Sequence, residues 1–315
     1  MARAMESLEP IQETLSEINK RTPEISVFKF VTRVLLTLGT EYAPPAREEG
    51  DAGHGRRAER PDARPSALPA CVLPLHGEDA HFGHAEAGLI GVADGVGGYR
   101  DYGVDAGAFA RELMASALAK VELAAKASRR RRRLRPEDVL ERAYESMVIK
   151  GTPGASTAVV LSLDRATLRW AYIGDSAFAV LRGGRIVHRS AEQQRRFNCP
   201  LAKAEVCGMP VKDGDVVVGG TDGLFDNVHD DQLARAVQMG TELGFSPKNM
   251  ADIIAGVACD MSKTKTERAC SPFSIGYRKA YGENYYGGKE DDITVIVAYI
   301  VSKDSSFKEG TCLKN

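Results

Sequence analysis

Five short stretches of this 315-residue chain set carboxylates at or beside the end of an apolar run. They are HGEDAHF (Glu78, Asp79), GVADGVGG (Asp94), YIGDSAF (Asp175), GGTDGLFDN (Asp222, Asp226) and KEDDITVIV (Asp291, Asp292). Taken singly, each reads more readily as a turn, because Asp-Gly is a common turn pair. Taken together, acids at strand ends can converge on one rim of a sheet, where like charges repel strongly in a partly dry cleft. Hard divalent cations neutralise such a cluster, and an oxygen-only donor set suits Mg²⁺ or Mn²⁺. The glycines around Asp94 fit that chemistry. Gly95 would let its backbone approach a hydrated ion, and Gly97 and Gly98 would leave room for water and substrate. The pattern is not G-x-G-x-x-G and no G-K-[ST] occurs, so a nucleotide cradle is not supported. His76, His81 and His84 flank the first acidic pair, yet no further His or Cys stands at zinc-ligand spacing.

Short Val/Ile-rich runs bounded by Gly or Asp must position these acids: GLIGVAD, ASTAVVLSLD, TLRWAYIGD, AFAVLRGGRIVHRS, GDVVVGGTD and DDITVIVAYIV. Gly183-Gly184 predicts a tight hairpin, and Asp164 in LDRATLR another turn. Helical patterns span Asp105 to about Ala127, with Asp105 as N-cap, then Pro136 to about Val148, Asp230 to Met239 and Pro247 to Met261. Thr157 and Thr294 read as strand residues. Strands arriving as hairpins between long helices predict an α+β fold of antiparallel sheets covered by helices.

The remainder of the chain is less specific. Leu8, Ile11, Leu15 and Ile18 recur at helical spacing until Pro23, and a Pro/Gly/Arg/Glu-rich tract from Tyr42 to about Pro69 reads as a linker. Residues 1–66 are therefore expected to be an extension dispensable for any hydrolysis, 67–303 the folded domain, and 304–315 a tail. Ile25–Gly39 is too short for a membrane span and is broken by Lys29 and Arg33. A net charge of −1 gives no global reason to expect nucleic acid or anionic membrane as partner. The run Arg129–Arg135 reads as a solvated loop between helices. Six scattered cysteines without a C-x-x-C pair fit a reducing, intracellular compartment, whether cytoplasm, nucleus or an organelle such as mitochondrion or chloroplast.

In order and content, GEDAHF, GVADGVGG, GASTAVV, IGDSAFAVLRGG, GTDGLFDNV and GGKEDDITVIVAYIV resemble the metal-dependent type 2C Ser/Thr protein phosphatases. GVADGVGGYRDYGVDAGAFARELM is similar to the compact single-domain branch with mitochondrial and plant members. The resemblance runs from about Cys71 to Ser302. It implies a four-layer α-β-β-α sandwich with two Mg²⁺ or Mn²⁺ ions in a cleft at one end. Asp94 would bridge both ions, Gly95 would offer its carbonyl, and Asp222 and Asp291 would bind the second ion directly. Glu78 would bind through water, Asp79 would orient the nucleophilic water, and Asp175 and Asp226 match the place of a third, weaker metal. Asp292 stands where many members have Asn, which gives it a supporting role. The implied substrate is a phosphoserine or phosphothreonine in a protein, and the implied protein a monomer.

Two departures stand out. The stretch CVLPLHGED lacks the Arg that many members place before the Glu-Asp pair to hold phosphate, leaving that site unassigned, with Arg100 or the basic linker as substitutes. Phe197–Val216 is also short where relatives carry a longer excursion. The rival reading is a catalytically weak or inactive binding module of the same fold, against which the retention of Asp94, Asp222 and Asp291 argues.

Overall fold

A computed structural model describes residues 77–127, 134–200 and 204–302, together with the backbone of Ile25–Leu35. The helical pattern before Pro23, the linker, His76, Arg129–Arg133 and the tail from 304 lie outside the described residues.

The strand signals resolve into two five-stranded antiparallel sheets. One has the order β1 (Ile25–Leu35), β12 (Ile293–Ser302), β11 (Val216–Gly220), β6 (Ala177–Arg182), β7 (Arg185–Arg189). The other runs β10 (Glu205–Pro210), β5 (Thr167–Ile173), β4 (Ala158–Asp164), β3 (Leu89–Asp94), β2 (Asp79–His84). A small hairpin, β8 (Gln194–Arg196) with β9 (Cys199–Pro200), stands apart.

The central strands are apolar at nearly every position because both of their faces are covered. Along β12, Ile296, Ala298 and Ile300 enter the layer between the sheets, beside Phe178, Val180, Trp170 and Tyr172. The alternate residues Ile293, Val295, Val297 and Tyr299 face outward onto α4 (Asp230–Glu242) and α5 (Pro247–Lys263), through Leu233, Val237, Met250 and Ile254. The second sheet repeats this arrangement. Val159 and Leu161 of β4 point inward, whereas Ala158 and Val160 join Leu113, Met114, Val139 and Met147 of α1 (Ala106–Ala127) and α2 (Pro136–Lys150). The result is the four-layer α-β-β-α sandwich.

Local signals sit where expected. Asp105 Oδ1 accepts from Gly107 N at 3.0 Å, capping α1. Gly183 and Gly184 have φ of 54° and 73°, the two positive values that a tight type I′ hairpin between β6 and β7 requires. Two helices escaped the sequence reading: α3 (Asp222–Phe225), one short turn, and α6 (Pro272–Tyr281). The second has a clear start signal, Ser271-Pro272, in which Ser271 and Ser274 cap each other reciprocally.

The N-terminal boundary needs correction. Ile25–Leu35, assigned from sequence to an extension, pairs antiparallel along the edge of β12, from Ile25 opposite Ser302 to Leu35 opposite Ile293. The reason is physical: β12 is buried on both faces, and β1 covers its otherwise open row of backbone donors and acceptors. Helix α5 lies against both strands. A chain lacking residues 1–66 should therefore melt about 5 °C lower or more in scanning calorimetry and self-associate through β12. An unchanged melting temperature would show that β1 adds nothing to stability.

Candidate metal centre

The pairing of the strands explains why distant acids meet. β2 and β3 are antiparallel with Asp79 directly opposite Asp94, so both carboxylates leave one end of their sheet. In the other sheet the end of β11, Gly220, lies opposite Val295 of β12 and Ala177 of β6. Asp222 just past β11, Asp291 and Asp292 just before β12, and Asp175 just before β6 therefore leave that sheet at a common end. The two ends coincide, since Asp94 lies within electrostatic reach of Asp222, Asp79 and Asp291.

Hydroxyls hold the acids in place. Thr157 Oγ1 accepts from the Asp94 backbone N–H at 3.1 Å and shares a 2.6 Å hydrogen bond with Ser176. Thr221 donates its hydroxyl to Asp79 Oδ2 at 2.7 Å while accepting from Thr294 N at 3.2 Å. Thr157 is thus a support of the site as well as a neighbour of β4. Asp292 Oδ2 accepts from the Glu78 backbone N–H at 2.6 Å, tying one sheet to the other. Gln194 Nε2 donates to Asp175 Oδ2 at 3.0 Å.

Burial raises the carboxyl pKa values here, and like charges add to it. Asp94 is pushed well up by burial and then by Asp222, Asp79 and Asp291. Asp79 and Asp226 are likewise raised well above the ordinary range, chiefly by burial. Asp175 and Asp291 reach about 6, through burial and then Asp222. Glu78 and Asp292 rise less, also from burial. His81 moves the other way: buried in β2, it is pushed down to about 4 and stays neutral, as a core side chain.

Lysine 289 went unnoticed in the sequence, where it reads as one charge in an acidic turn. Its Nζ sits 2.5 Å from Asp222 Oδ2, 3.1 Å from Asp226 Oδ2 and 2.9 Å from Asp291 Oδ2. Burial alone would depress its pKa, but the three carboxylates outweigh that and raise it.

Three residues of the cleft rim gain further definition. A Cβ on Gly95 would stand 2.0 Å from the Ala106 carbonyl oxygen, so glycine is required there by the close approach of α1. Gly97 does face the cleft, since a Cβ there would lie 3.1 Å from Glu78 Oε2. Arg100, a candidate phosphate anchor, instead pairs with Glu78 Oε1 at 2.6 Å from an exposed position at the rim.

The comparisons agree with this architecture. The family profile described as Stage II sporulation protein E (SpoIIE) matches residues 88–269. "Putative protein phosphatase 2C 23" of Oryza sativa subsp. japonica is 46% identical over 97% of this chain and all of its own. The chain belongs to the protein phosphatase 2C family. "Probable protein phosphatase 2C 55" of Arabidopsis thaliana is 37% identical over 76% of this chain and 52% of its own. The X-ray structure of the photosystem II phosphatase PBCP superposes with a TM-score of 0.61 at 27% identity, covering 71% of this chain and 92% of that one. The catalytic domain of the serine threonine protein phosphatase PstP, solved in complex with two manganese ions, shares the fold with a TM-score of 0.52 at 17% identity, covering 88% and 99%.

The donors of this phosphatase suit hard divalent cations in chemistry. They are all oxygens, and Asp222 Oδ1 is buried without a hydrogen bond from any described residue. As they stand, however, no three acidic, imidazole or thiol side chains among the described residues are spaced to hold an ion. The Lys289 ammonium lies between three of them, Asp222, Asp226 and Asp291.

Two measurements probe this network. Thr221→Val removes the donor that fixes Asp79, and it should lower kcat by about 10–100-fold with little change in Mn²⁺ affinity. A large loss of Mn²⁺ binding would instead mean that Asp79 binds the ion. The second measurement concerns pH. A carboxyl whose folded pKa is raised holds an extra proton when folded, so its stabilisation is full in acid and lost as pH rises through the folded pKa. For Asp175 and Asp291 the window runs from 3.8 to about 6, and Asp79, Asp94 and Asp226 extend it upward. His81 opposes this between about 4 and 6.5, and its contribution is complete above that window. In chelator, melting temperature should therefore fall from about pH 6.5 to about pH 8, and excess Mn²⁺ should suppress the fall.

Proposed function

We infer that this family member hydrolyses phosphoserine and phosphothreonine in proteins with two divalent cations, Mg²⁺ or Mn²⁺, in the carboxylate cleft. The convergence of Asp79, Asp94, Asp222 and Asp291 from both sheets onto one buried, oxygen-only site carries this reading. Asp94, Asp222, Asp291 and the Gly95 carbonyl would hold the two ions, with Glu78 acting through water. Asp175 and Asp226 would serve a third, weaker ion. The bound cations would supply a lowered water pKa and positive charge for the phosphate oxygens.

The protein's own groups do the rest. Asp79, fixed by the Thr221 hydroxyl, would accept a proton from the attacking water at Oδ1 or share it in a hydrogen bond, aiming the oxygen at phosphorus. Asp292, through the Glu78 backbone, keeps Glu78 and Asp79 in register. No cysteine or serine nucleophile is required, and no phosphoenzyme is implied. Among the described residues no helix is long and apolar enough to cross a membrane.

Hydrolysis of an aryl phosphate and of a phosphothreonine peptide should require Mn²⁺ or Mg²⁺ and stop in chelator. Asp94→Asn should reduce both to the level of the chelated parent. Its metal-free form should melt no lower than the parent, because the cost of burying an ionisable carboxyl among like charges is gone, while its thermal response to Mn²⁺ shrinks. Full metal-stimulated turnover by Asp94→Asn would overturn the two-cation mechanism and favour the binding-module alternative.

A further inference from the structure

Lys289 is built into the cleft through its backbone. Asn227, fully buried, donates from Nδ2 to the carbonyls of Gly223 and Lys289 at 2.9 Å each and accepts from Lys289 N at 3.0 Å. The residue before it has no room for a side chain, since a Cβ on Gly288 would meet Met261 O at 2.3 Å and Asn227 Oδ1 at 2.4 Å. The chain is thus pinned so that one side chain must enter the site. Its ammonium, on a side chain only 16% exposed, reaches three carboxylates and also donates to Asn198 Oδ1 at 3.0 Å. The Phe273 ring centroid lies 5.6 Å from the ammonium.

We propose that Lys289 is a tethered counter-cation: its ammonium holds Asp222, Asp226 and Asp291 together when no divalent ion is bound, and metal loading must displace it. The inference rests on the two-cation reading above. A single positive charge cannot offset all the carboxylates, but it removes the strongest repulsion among the three that it touches. A divalent ion brings twice the charge and binds oxygens at about 2.1 Å, closer than an ammonium donates. A divalent ion on these carboxylates would stand within a few ångströms of the ammonium, and the two positive charges would repel strongly in so dry a cleft. Lys289 therefore lowers apparent metal affinity by the fraction of molecules in which it occupies the site, while protecting the metal-free fold. The contact with Asn198, on the turn between β8 and β9, offers the ammonium a place outside the three acids once it is displaced.

The test is a comparison of the full chain with Lys289→Met and Lys289→Gln. Titration calorimetry with Mn²⁺ alone should show binding about tenfold tighter in both variants. In chelator both should melt lower than the parent, a gap that excess Mn²⁺ closes. In the parent, reductive methylation read by mass spectrometry should leave Lys289 shielded without metal and label it when Mn²⁺ is present. Mn²⁺ affinity that is unchanged or weaker in both variants overturns the proposal. Should the variants not fold without metal, equal shielding of Lys289 in the parent with and without Mn²⁺ overturns it as well. Mn²⁺ binding that Asp94→Asn abolishes but Lys289→Met leaves untouched defeats this inference alone. Absence of any Asp94-dependent Mn²⁺ binding in the parent defeats the two-cation reading with it.

Discussion

Mutual repulsion of carboxylates at one end of a β-sandwich is the constraint on which the rest of the structure turns. Glu78, Asp79, Asp94, Asp175, Asp222, Asp226, Asp291 and Asp292 come from two sheets and are at least half shielded from water. Left alone, such a group would spread apart or take up protons, and the raised pKa values show the second response. Spreading is prevented by the apolar layers. Tyr172, Phe178, Ile296 and their neighbours lock the sheets face to face, so the strand ends cannot separate without opening the inter-sheet core. The stability of the sandwich is what keeps an unfavourable charge cluster assembled.

The site is also a joint between the sheets. Asp292 belongs to the β12 side and Glu78 to the β2 side, yet the hydrogen bond between them spans 214 residues of chain. Thr221 at the end of β11 reaches Asp79 of β2 across the same seam. Neither acid is held by its own sheet alone, so the geometry for chemistry exists only after the two halves have packed. Long-range pairing of this kind makes the site a late product of folding and a sensitive reporter of inter-sheet alignment.

Much of this was legible in the sequence, for a stated reason. Strands such as AVVLSLD and ITVIVAYIV are apolar on both faces because helices cover the sandwich, and their ends are marked by the acids. What stayed hidden depends on tertiary contact. Gly95 reads as a backbone approach to an ion, and nothing in GVADGVGG shows that a side chain there would also meet the Ala106 carbonyl, more than ten positions away in the chain. Ile25–Leu35 reads as an isolated apolar window because its partner, β12, is the last strand among the described residues. Lys289 carries no signal in the sequence, since nothing in GGKEDD says that Asn227 pins its backbone. Helix α6 is masked by its aromatics, although Ser271-Pro272 announces it.

Those aromatics have a structural use next to the cleft. Phe197, on the short turn beyond β8, packs against Phe273, Tyr277 and Tyr281 of α6, with ring centroids 5.1 Å, 6.2 Å and 5.9 Å away. Gly276 lets α6 come this close, since a Cβ there would lie 2.5 Å from the Phe197 ring. The turn carries Asn198, which touches Lys289, and follows Gln194, which holds Asp175. The turn at Phe197 is therefore held against α6 by ring stacking at the edge of the cleft. The same contacts connect the wall of the cleft to the charge at its centre, because Asn198 carries the stacked turn to the Lys289 ammonium and Gln194 carries it to Asp175.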